Sequence, residues 1–316
     1  MATGHPNRLA AIDVGSNSVL LLVADISGNT ISAPVREEIA ITGLGERLNE
    51  NRVLPAEAVE ETVRLMSHYL EAAREAGSRQ VLAVATAAVR EAINGQELAD
   101  LVMARLGLPL HAISAQEEAR LTLRGVHSHP SLTGRDLVVV DIGGGSTEIA
   151  AGGPDGVSDC ISLPFGCVRL RHIAGDATSA ADFDRLCQQA SSLTQPHLVG
   201  IDPSSLQGRL IGVGGTITTL AAIDLALDPS QQQRADGHEL TLTRVERLSR
   251  HLADLPPQHR QNVAGLPRGR EDTILPGAAL LLNCMVWMQK RHLRVSTRGL
   301  RYGVLVEAAR EHDSRC

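Results

Sequence analysis

Two segments of this 316-residue chain share one pattern, and that pattern restricts the available folds more than any other feature. The segments are AAIDVGSNSVLLLVAD (10–25) and VVVDIGGGSTEIAAGG (138–153). In each, an apolar strand ends in an aspartate, a glycine follows two residues later, and a second apolar strand begins after a short polar turn. Asp13 and Asp141 occupy the matching positions. The repeat predicts two halves that are built alike, each opening with a β-hairpin.

Glycine dominates these turns, and a third glycine turn, GVGGT (212–216), follows another apolar strand. Glycine lacks a Cβ, so the backbone can approach a ligand closely and direct successive N–H groups at it. Nearby hydroxyl groups add further donors, namely those of Ser18, Ser146, Thr147 and Thr216. One such turn would be interpreted as structural, but two in the same register indicate a phosphate-binding role. The aspartates at the strand ends could then hold a divalent cation or orient water on the phosphates.

Strands alternate with helices along the chain, which is typical of the α/β class. The patterns predict strands within residues 8–26, 31–42, 80–95, 110–114, 136–152 and 208–224. They predict helices within residues 56–77, 80–95, 95–107, 115–129, 181–198 and 208–224, with mostly helical structure from there to 312. The apolar run 277–288 contains Asn283 and is shorter than a membrane span, so it predicts a buried helix.

Composition excludes several classes of protein. The net charge of −6 argues against a general nucleic-acid or membrane-surface binder. Lys290 is the only lysine, so any anion site must depend on arginine or on backbone N–H groups. The five cysteines show no CxxC spacing, which argues against a zinc, iron–sulfur or disulfide framework and fits a reduced cytoplasm. The scarce aromatic residues form no cluster for stacking bases.

Motifs along nearly the whole chain resemble, in order, those of the exopolyphosphatase / guanosine pentaphosphate phosphohydrolase (Ppx/GppA) family. They are AIDVGSNSV, GLGERL, AVATAAVREAING, ISAQEEARL, VVDIGGGSTEI, SLPFGCVRL, GVGGTITTLA, GHELT, GREDTILPGA and STRGLRYGVL. The pair DIGGGSTE and EEARL is specific to the family. The glycine turns alone are specific only to the wider superfamily of acetate and sugar kinases, heat-shock chaperones and actin. The length resembles that of the short members, which lack the extra C-terminal helical domains.

The resemblance implies a two-domain α/β fold of the actin-like type, with ribonuclease H-like domains and the active site in the cleft between them. The N-terminal domain is expected to comprise residues 1–123 and 298–316, and the C-terminal domain residues 124–297. In this superfamily the last helix returns to the first domain, so residues 298–312 are expected to pack on the domain that holds Asp13.

The resemblance also implies roles for single residues. Glu118 matches the general base that activates water, whereas Asp141 and Glu148 match acidic residues that handle metal and water. Arg90 matches an arginine that contacts phosphate, and Asp236 stands where relatives have histidine. The expected phosphate-binding set is Asn17, Ser18, Arg90, Gly143, Gly144, Gly145, Ser146, Thr147, Gly214, Gly215 and Thr216. Asp13 and Asp141 are the expected metal ligands, with Mg²⁺ or Mn²⁺ as the cofactor.

These residues also have structural interpretations. Glu117 and Glu118 could form a solvated helix face, and Asp141 could cap its turn. Glu148 could point outward from its strand, and Arg90 could complement a helix dipole.

The expected reaction is hydrolysis of the terminal phosphoanhydride of inorganic polyphosphate, which releases orthophosphate. Guanosine pentaphosphate ends in the same anhydride and remains an alternative substrate. A small-molecule kinase and a non-catalytic nucleotide-binding regulator or filament protein are further alternatives. A dehydratase-activator ATPase is excluded, because the cysteine spacing offers no cluster site.

We expect a cytoplasmic protein without nucleic-acid or membrane partners. A homodimer is compatible with the resemblance, and the sequence leaves the oligomeric state open.

A negatively charged protein can attract a polyanion only through a local track of arginines. Arg268 and Arg270 flank Gly269 in a loop rich in proline and glycine, and they are the first candidates for such a track.

Overall fold

The computed structural model of the protein describes residues 7–28, 30–48, 51–153 and 156–313. The chain divides into two compact units. We call residues 1–134 with 298–316 the N-terminal unit, and residues 135–297 the C-terminal unit.

The N-terminal unit contains a five-stranded sheet with the order β3-β2-β1-β4-β5. Its strands are β1 (Asn7–Val14), β2 (Ser18–Ser27), β3 (Thr30–Ile41), β4 (Gln80–Ala85) and β5 (Leu110–Ala112). The first three strands pair antiparallel, and β4 and β5 continue the sheet parallel to β1. The central strand β1 is apolar throughout because both faces are covered: Ala10 and Ile12 join one core cluster, and Leu9 and Ala11 join the other.

The strands are joined or followed by α1 (Ala56–Glu75), α2 (Ala87–Glu91), α3 (Gly95–Leu106) and α4 (Ala115–His127). Helix α1 lies between β3 and β4 along the chain, α2 and α3 lie between β4 and β5, and α4 follows β5. Residues of α1, α2 and α3 pack in the cluster that contains Ile12. Helix α3 ends where the sequence predicts, since Gly107 after it takes the left-handed conformation at φ +63°. Helices α1 and α4 end two residues before the predicted positions 77 and 129.

The C-terminal unit contains a six-stranded sheet with the order β10-β11-β9-β6-β7-β8. Its strands are β6 (Leu137–Ile142), β7 (Thr147–Gly153), β8 (Gly156–Leu163), β9 (Arg209–Val213), β10 (Glu239–Thr241) and β11 (His292–Val295). Strands β6, β7 and β8 pair antiparallel, whereas β9 runs parallel to β6 and β11 parallel to β9. The order β8-β7-β6-β9-β11 therefore repeats that of the N-terminal sheet, with β10 added at one edge. The predicted duplication is present in the topology as well as in the sequence.

The helices of the C-terminal unit surround one large apolar core. They are α5 (Cys167–Ala174), α6 (Ala180–Leu198), α7 (Gly215–Asp224), α8 (Leu242–Ala253), α9 (Pro257–Arg260) and α10 (Ile274–Trp287), with 3₁₀ turns at Pro203–Ser205 and Pro229–Ala235. The predicted buried helix is confirmed in α10, which buries ten of its residues. Among the helices of the described residues, none is long and apolar enough to cross a membrane.

The prediction of mostly helical structure after residue 224 is wrong at β10 and β11. These strands have only three and four residues, so they are too short to display the alternation that distinguishes a strand. Their pairing with each other and with β9 identifies them instead.

The last helix, α11 (Leu300–Asp313), packs on α4 and on β1 within the N-terminal unit. Glycines allow the close approach of α4 and α11: a Cβ on Gly125 would overlap the carbonyl of Gly299, and one on Gly303 would overlap that of Leu121. The sequence places the domain boundary after residue 123, inside α4. The N-terminal unit instead extends to Gly134, and α4 packs on α11 within it.

Candidate active site

The turns of the two repeated hairpins are closed by the same hydrogen bond. The N–H of Gly15 donates to the carbonyl of Ser18 at 3.0 Å, and the N–H of Gly143 donates to the carbonyl of Ser146 at 3.0 Å. Gly143 lies 128 residues after Gly15 (143 − 15), and Ser146 lies 128 residues after Ser18 (146 − 18). The register that the sequence predicts is therefore the register of the folded turns.

In the second turn, the carbonyl groups face helix α5. The N–H of Cys167 donates to Gly143 at 2.9 Å, and that of Val168 donates to Gly144 at 2.9 Å. Within the described part of the chain, the N–H groups of Gly144 and Gly145 have no backbone hydrogen-bond acceptor. The carbonyl groups of the turn are thus hydrogen-bonded within the protein, whereas the N–H groups of Gly144 and Gly145 are available to bind an anion.

The two hydroxyl residues that end this turn are both buried. Ser146 is 4% exposed and Thr147 is fully buried. The Thr147 hydroxyl donates to the carbonyl of Phe165 at 2.7 Å, so this predicted phosphate ligand also holds the segment that leads into α5.

The third glycine turn lies beside Asp141. Asp141 and Val213 are partners on the parallel strands β6 and β9, whose carboxyl ends therefore meet at one edge of the sheet. Gly214 has φ +88°, and a Cβ there would lie 2.5 Å from Oδ1 of Asp141. The next residues, Gly215 and Thr216, form the first turn of α7, where backbone N–H groups and the helix dipole favour an anion.

Arg270 places its guanidinium group against this third turn. A Cβ on Gly215 would overlap that group in its present position, so glycine lets the guanidinium group lie directly against the backbone. Burial lowers the pKa of Arg270, and the Cys167 thiol opposes this shift. Among the described residues, Arg270 has no carboxylate within ion-pair distance. A desolvated guanidinium group without a carboxylate suits phosphate, which it can bind through two parallel hydrogen bonds.

Asp141 and Glu148 face each other across the hairpin of β6 and β7. Glu148 is 2% exposed, and its Oε1 accepts a hydrogen bond from Ser162 at 3.1 Å. Two carboxylates directly opposite each other repel, and a cation relieves this repulsion. In the described ranges, no group of three or more His, Cys, Asp and Glu side chains could hold a metal ion. The pair still fits Mg²⁺, which commonly takes one or two carboxylates and completes its shell with water and phosphate oxygens.

In the N-terminal unit, Asp13 is buried at the end of β1, at the position that matches Asp141. The neighbouring turn residue Asn17 is 8% exposed, and its side-chain Nδ2 has no hydrogen-bond partner within the described residues. The Asn17 carbonyl accepts the N–H groups of Thr42 and Gly43, so the GLGERL segment (43–48) wraps around the turn. A buried, unused amide donor fits the predicted contact with phosphate.

The proposed base, Glu118, lies in the first turn of α4. Ser114 caps this helix, since its Oγ accepts the N–H of Glu117 at 3.1 Å. Nη1 of Arg90 donates to Oε2 of Glu118 at 2.9 Å and to the carbonyl of Ile113 at 2.9 Å. The family resemblance implies separate roles for Arg90 and Glu118, and the structure joins them in one ion pair. Nothing in the sequence predicts this pairing.

Burial determines the chemistry of Glu118. The residue is 8% exposed, whereas Glu117 is exposed and keeps the interpretation of a solvated residue. Burial raises the pKa of Glu118, and the hydrogen bond and charge of Arg90 oppose that rise. A carboxylate with a raised pKa that a cation keeps ionised is suited to accept a proton.

Asp236 lies in the C-terminal unit and bonds the last residue of that unit. Its Oδ1 accepts the N–H of Thr297 at 2.9 Å and the Thr297 hydroxyl at 3.3 Å. Thr297 is the last residue of the C-terminal unit, so the carboxylate holds the segment at which the chain leaves that unit.

Comparison with known proteins identifies the family. The model of the Ppx/GppA phosphatase family matches residues 22–312. The chain is 31% identical to the protein named exopolyphosphatase 2 of Mycobacterium tuberculosis over 290 residues, 87% of this chain and 88% of that one. It is 27% identical over 310 residues to the bifunctional 3-dehydroquinate synthase/phosphatase of Fusobacterium nucleatum, with 94% of this chain covered. The chain spans only 46% of that relative's length.

A crystal structure of the Ppx/GppA family member of Aquifex aeolicus superposes with a TM-score of 0.78 at 30% identity. The superposition covers 96% of this chain and 98% of that one. The similarity confirms the two-domain α/β fold that the repeated sheets display. By sequence and by fold, the chain belongs to the Ppx/GppA phosphatase family.

Proposed function

We propose that the protein is an exopolyphosphatase, which hydrolyses the terminal phosphoanhydride of inorganic polyphosphate and releases orthophosphate. The observation that carries the proposal is the buried Glu118 carboxylate with Arg90 at 2.9 Å, on a chain that retains the glycine turns of its family. The name of the M. tuberculosis relative supports polyphosphate as the substrate.

In the proposed mechanism, an oxygen of Glu118 takes a proton from water as the water oxygen attacks the terminal phosphorus. A new P–O bond forms and the bridging P–O bond of the anhydride breaks, so the chain leaves one phosphate shorter. The proton on Glu118 then returns to solvent. Arg90 keeps Glu118 ionised before the reaction, because an adjacent cation favours the charged form of a carboxylate.

The C-terminal unit supplies groups that stabilise negative charge in this proposal. Phosphoryl transfer depends mainly on positioning and on electrostatic stabilisation of the phosphoryl oxygens. The N–H groups of Gly144 and Gly145, the first turn of α7 and the guanidinium group of Arg270 are suited to bind those oxygens. Mg²⁺ held by Asp141 and Glu148 would offset the charge of the phosphate chain.

Phosphate release tests the proposal directly. The purified protein is incubated with long polyphosphate, guanosine pentaphosphate and ATP, each with Mg²⁺ or Mn²⁺. We expect the highest kcat/KM with polyphosphate. A higher value with guanosine pentaphosphate would favour the nucleotide substrate, and no release from any of them would favour a non-catalytic regulator.

The salt dependence of KM shows whether the protein binds a long stretch of polyphosphate or only the end of the chain. Arg268 is exposed two residues before Arg270, and we expect it to contact a polyphosphate chain beyond its terminal groups. Each phosphate that an arginine neutralises releases a counterion, and we expect KM for long polyphosphate to rise several-fold between low and physiological salt. Tripolyphosphate should show a smaller rise, and Arg268→Ala should reduce the slope for the long chain only. An equal rise of KM with salt for both substrates would contradict the proposed arginine track.

Gly214 offers a test with a matched control. Gly214→Ala introduces a Cβ 2.5 Å from the Asp141 carboxylate, in a backbone conformation at φ +88° that disfavours a side chain. We expect phosphate release to fall at least ~10²-fold because the carboxylate is displaced. Gly200 has nearly the same conformation, φ +82°, but its Cβ would meet no atom within 4 Å. Gly200→Ala should therefore lower Tm through the backbone strain alone and retain activity, and equal activity of the two variants would contradict the role of Asp141.

A further inference from the structure

The position of Arg90 depends on a helix that is too short to be stable by itself. Arg90 is the fourth residue of α2, which has only five residues. A single helical turn gains few hydrogen bonds against the entropy of forming it, so neighbouring segments must hold it in place. The contacts at the two ends of α2 therefore decide where the guanidinium group lies.

The N-terminal end of α2 is attached to the first glycine turn. Oγ of Ser16 accepts the N–H of Ala88 at 3.1 Å, and the N–H of Thr86 donates to the carbonyl of Val14 at 3.1 Å. These bonds fix the start of the helix, three residues before the arginine.

The C-terminal end is held by the side chain of Asn94. Its Oδ1 accepts the N–H of Leu54 at 2.9 Å, and its Nδ2 donates to the carbonyl of Leu54 at 2.9 Å. The Asn94 amide thus pairs with the loop as a neighbouring strand would. Leu54 is itself anchored, since it is 1% exposed and packs in the same apolar cluster as Val89.

Two backbone contacts reinforce this attachment. The N–H of Ile93 donates to the carbonyl of Arg52 at 2.8 Å, next to the Asn94 pair. Gly95 lies against the carbonyl of Val89, where a Cβ would overlap the oxygen. The segment after α2 is therefore fastened on both sides of Asn94.

We infer that Asn94 is a positioning residue for the ion pair of Arg90 and Glu118, and through it for the protonation of the proposed base. This inference rests on the proposed function. Arg90 is the charged group that faces Glu118 from α2. On α4 itself, Glu117 is exposed and Arg120 pairs with Glu307 of α11, so neither replaces Arg90.

The experiment compares Asn94→Ala with Gln96→Ala. Gln96 is an exposed amide two residues further on, and among the described residues its side chain bonds only that of the exposed Asp100. Without the two hydrogen bonds between Asn94 and Leu54, we expect Arg90 to move away from Glu118. Arg90 then lowers the pKa of Glu118 less than it does in the wild type. The acid limb of kcat/KM against pH should then shift upward by about one pH unit in Asn94→Ala. Activity well above the limb should stay within a few-fold of wild type, and Gln96→Ala should keep the wild-type profile.

A double-mutant cycle shows whether Asn94 acts through Arg90. In an Arg90→Met background the ion pair is absent, so Asn94→Ala should move the limb no further. If Asn94→Ala does not fold, Asn94→Ser removes the same amide with a smaller loss of volume. An unmoved limb in the folded variant, or an equal shift in the Arg90→Met background, would overturn the inference.

A measurement without substrate separates this inference from the proposed function. The pKa of Glu118 can be followed by carboxyl ¹³C NMR, with Glu118→Gln to assign the signal. The same upward shift is expected in Asn94→Ala. Wild-type protein that releases no phosphate would defeat the proposed function, whereas a Glu118 pKa unchanged by Asn94→Ala would defeat the inference alone.

Discussion

Replacing Glu118 by glutamine is expected to lower kcat for phosphate release by ~10²–10⁴-fold while KM changes little. Glutamine keeps the shape of the side chain and its hydrogen bond from Arg90, but it cannot accept a proton from water. Steady-state kinetics with the best substrate of the wild type measure the effect. Activity within a few-fold of wild type would contradict the assignment of the base.

Glu117→Gln is the matched control, because Glu117 is adjacent to Glu118 and exposed. It should leave kcat nearly unchanged. Thermal denaturation provides a further check, because the direction of the change in Tm for Glu118→Gln can be worked out. Burial raises the folded-state pKa of Glu118, so its ionisation costs stability as pH rises through that pKa. Glu118→Gln should therefore have a Tm at neutral pH no lower than that of wild type.

The raised pKa of Glu118 also fixes the direction of the pH profile. The base must be deprotonated to act, so kcat/KM should fall as pH decreases through its pKa. Because burial raises that pKa from 4.5, the limb is expected above that value in wild type. Its absence in Glu118→Gln would link the limb to this carboxylate.

Replacing Arg270 by alanine is expected to lower kcat/KM by at least ~10²-fold, the typical effect of removing one donor to a developing negative charge. Arg270→Lys should recover only part of the activity, since lysine retains the charge but lacks the planar pair of donors. The guanidinium group lies against Gly215, and alanine leaves that turn of backbone intact.

Stability distinguishes this role from a structural one. Burial lowers the pKa of Arg270, so the folded state disfavours its charge, and Arg270→Ala should not lower Tm. A buried charge that lowers the stability of the folded protein is typical of a residue kept for function. Arg185→Ala is the control in the same unit, because the Arg185 side chain is 68% exposed and, within the described ranges, pairs with Asp182 alone. A large drop in Tm with little change in kcat/KM for Arg270→Ala would assign the residue to folding.

The sequence by itself determined the duplicated architecture. The two Asp–x–Gly turns recur 128 residues apart, and the turn hydrogen bonds of Gly15 and Gly143 reproduce that register. Local rules suffice here, because hairpin turns, apolar strands and helix ends each depend on residues that are neighbours in the chain. The same reasoning located the buried helix α10, whose apolar residues are continuous in sequence.

Only the tertiary structure decided which of these local elements meet. Arg90 and Glu118 are 28 residues apart and lie on different helices, so no spacing predicts their ion pair. Arg270 reaches Gly215 across 55 residues (270 − 215), and Asn94 reaches Leu54 across 40. Strands β10 and β11 show the same limit, because their three and four residues acquire β structure by pairing with partners distant in the chain. Burial and charge pairing depend on all the elements that surround a side chain, and these neighbours are assembled only when the sheets and helices pack.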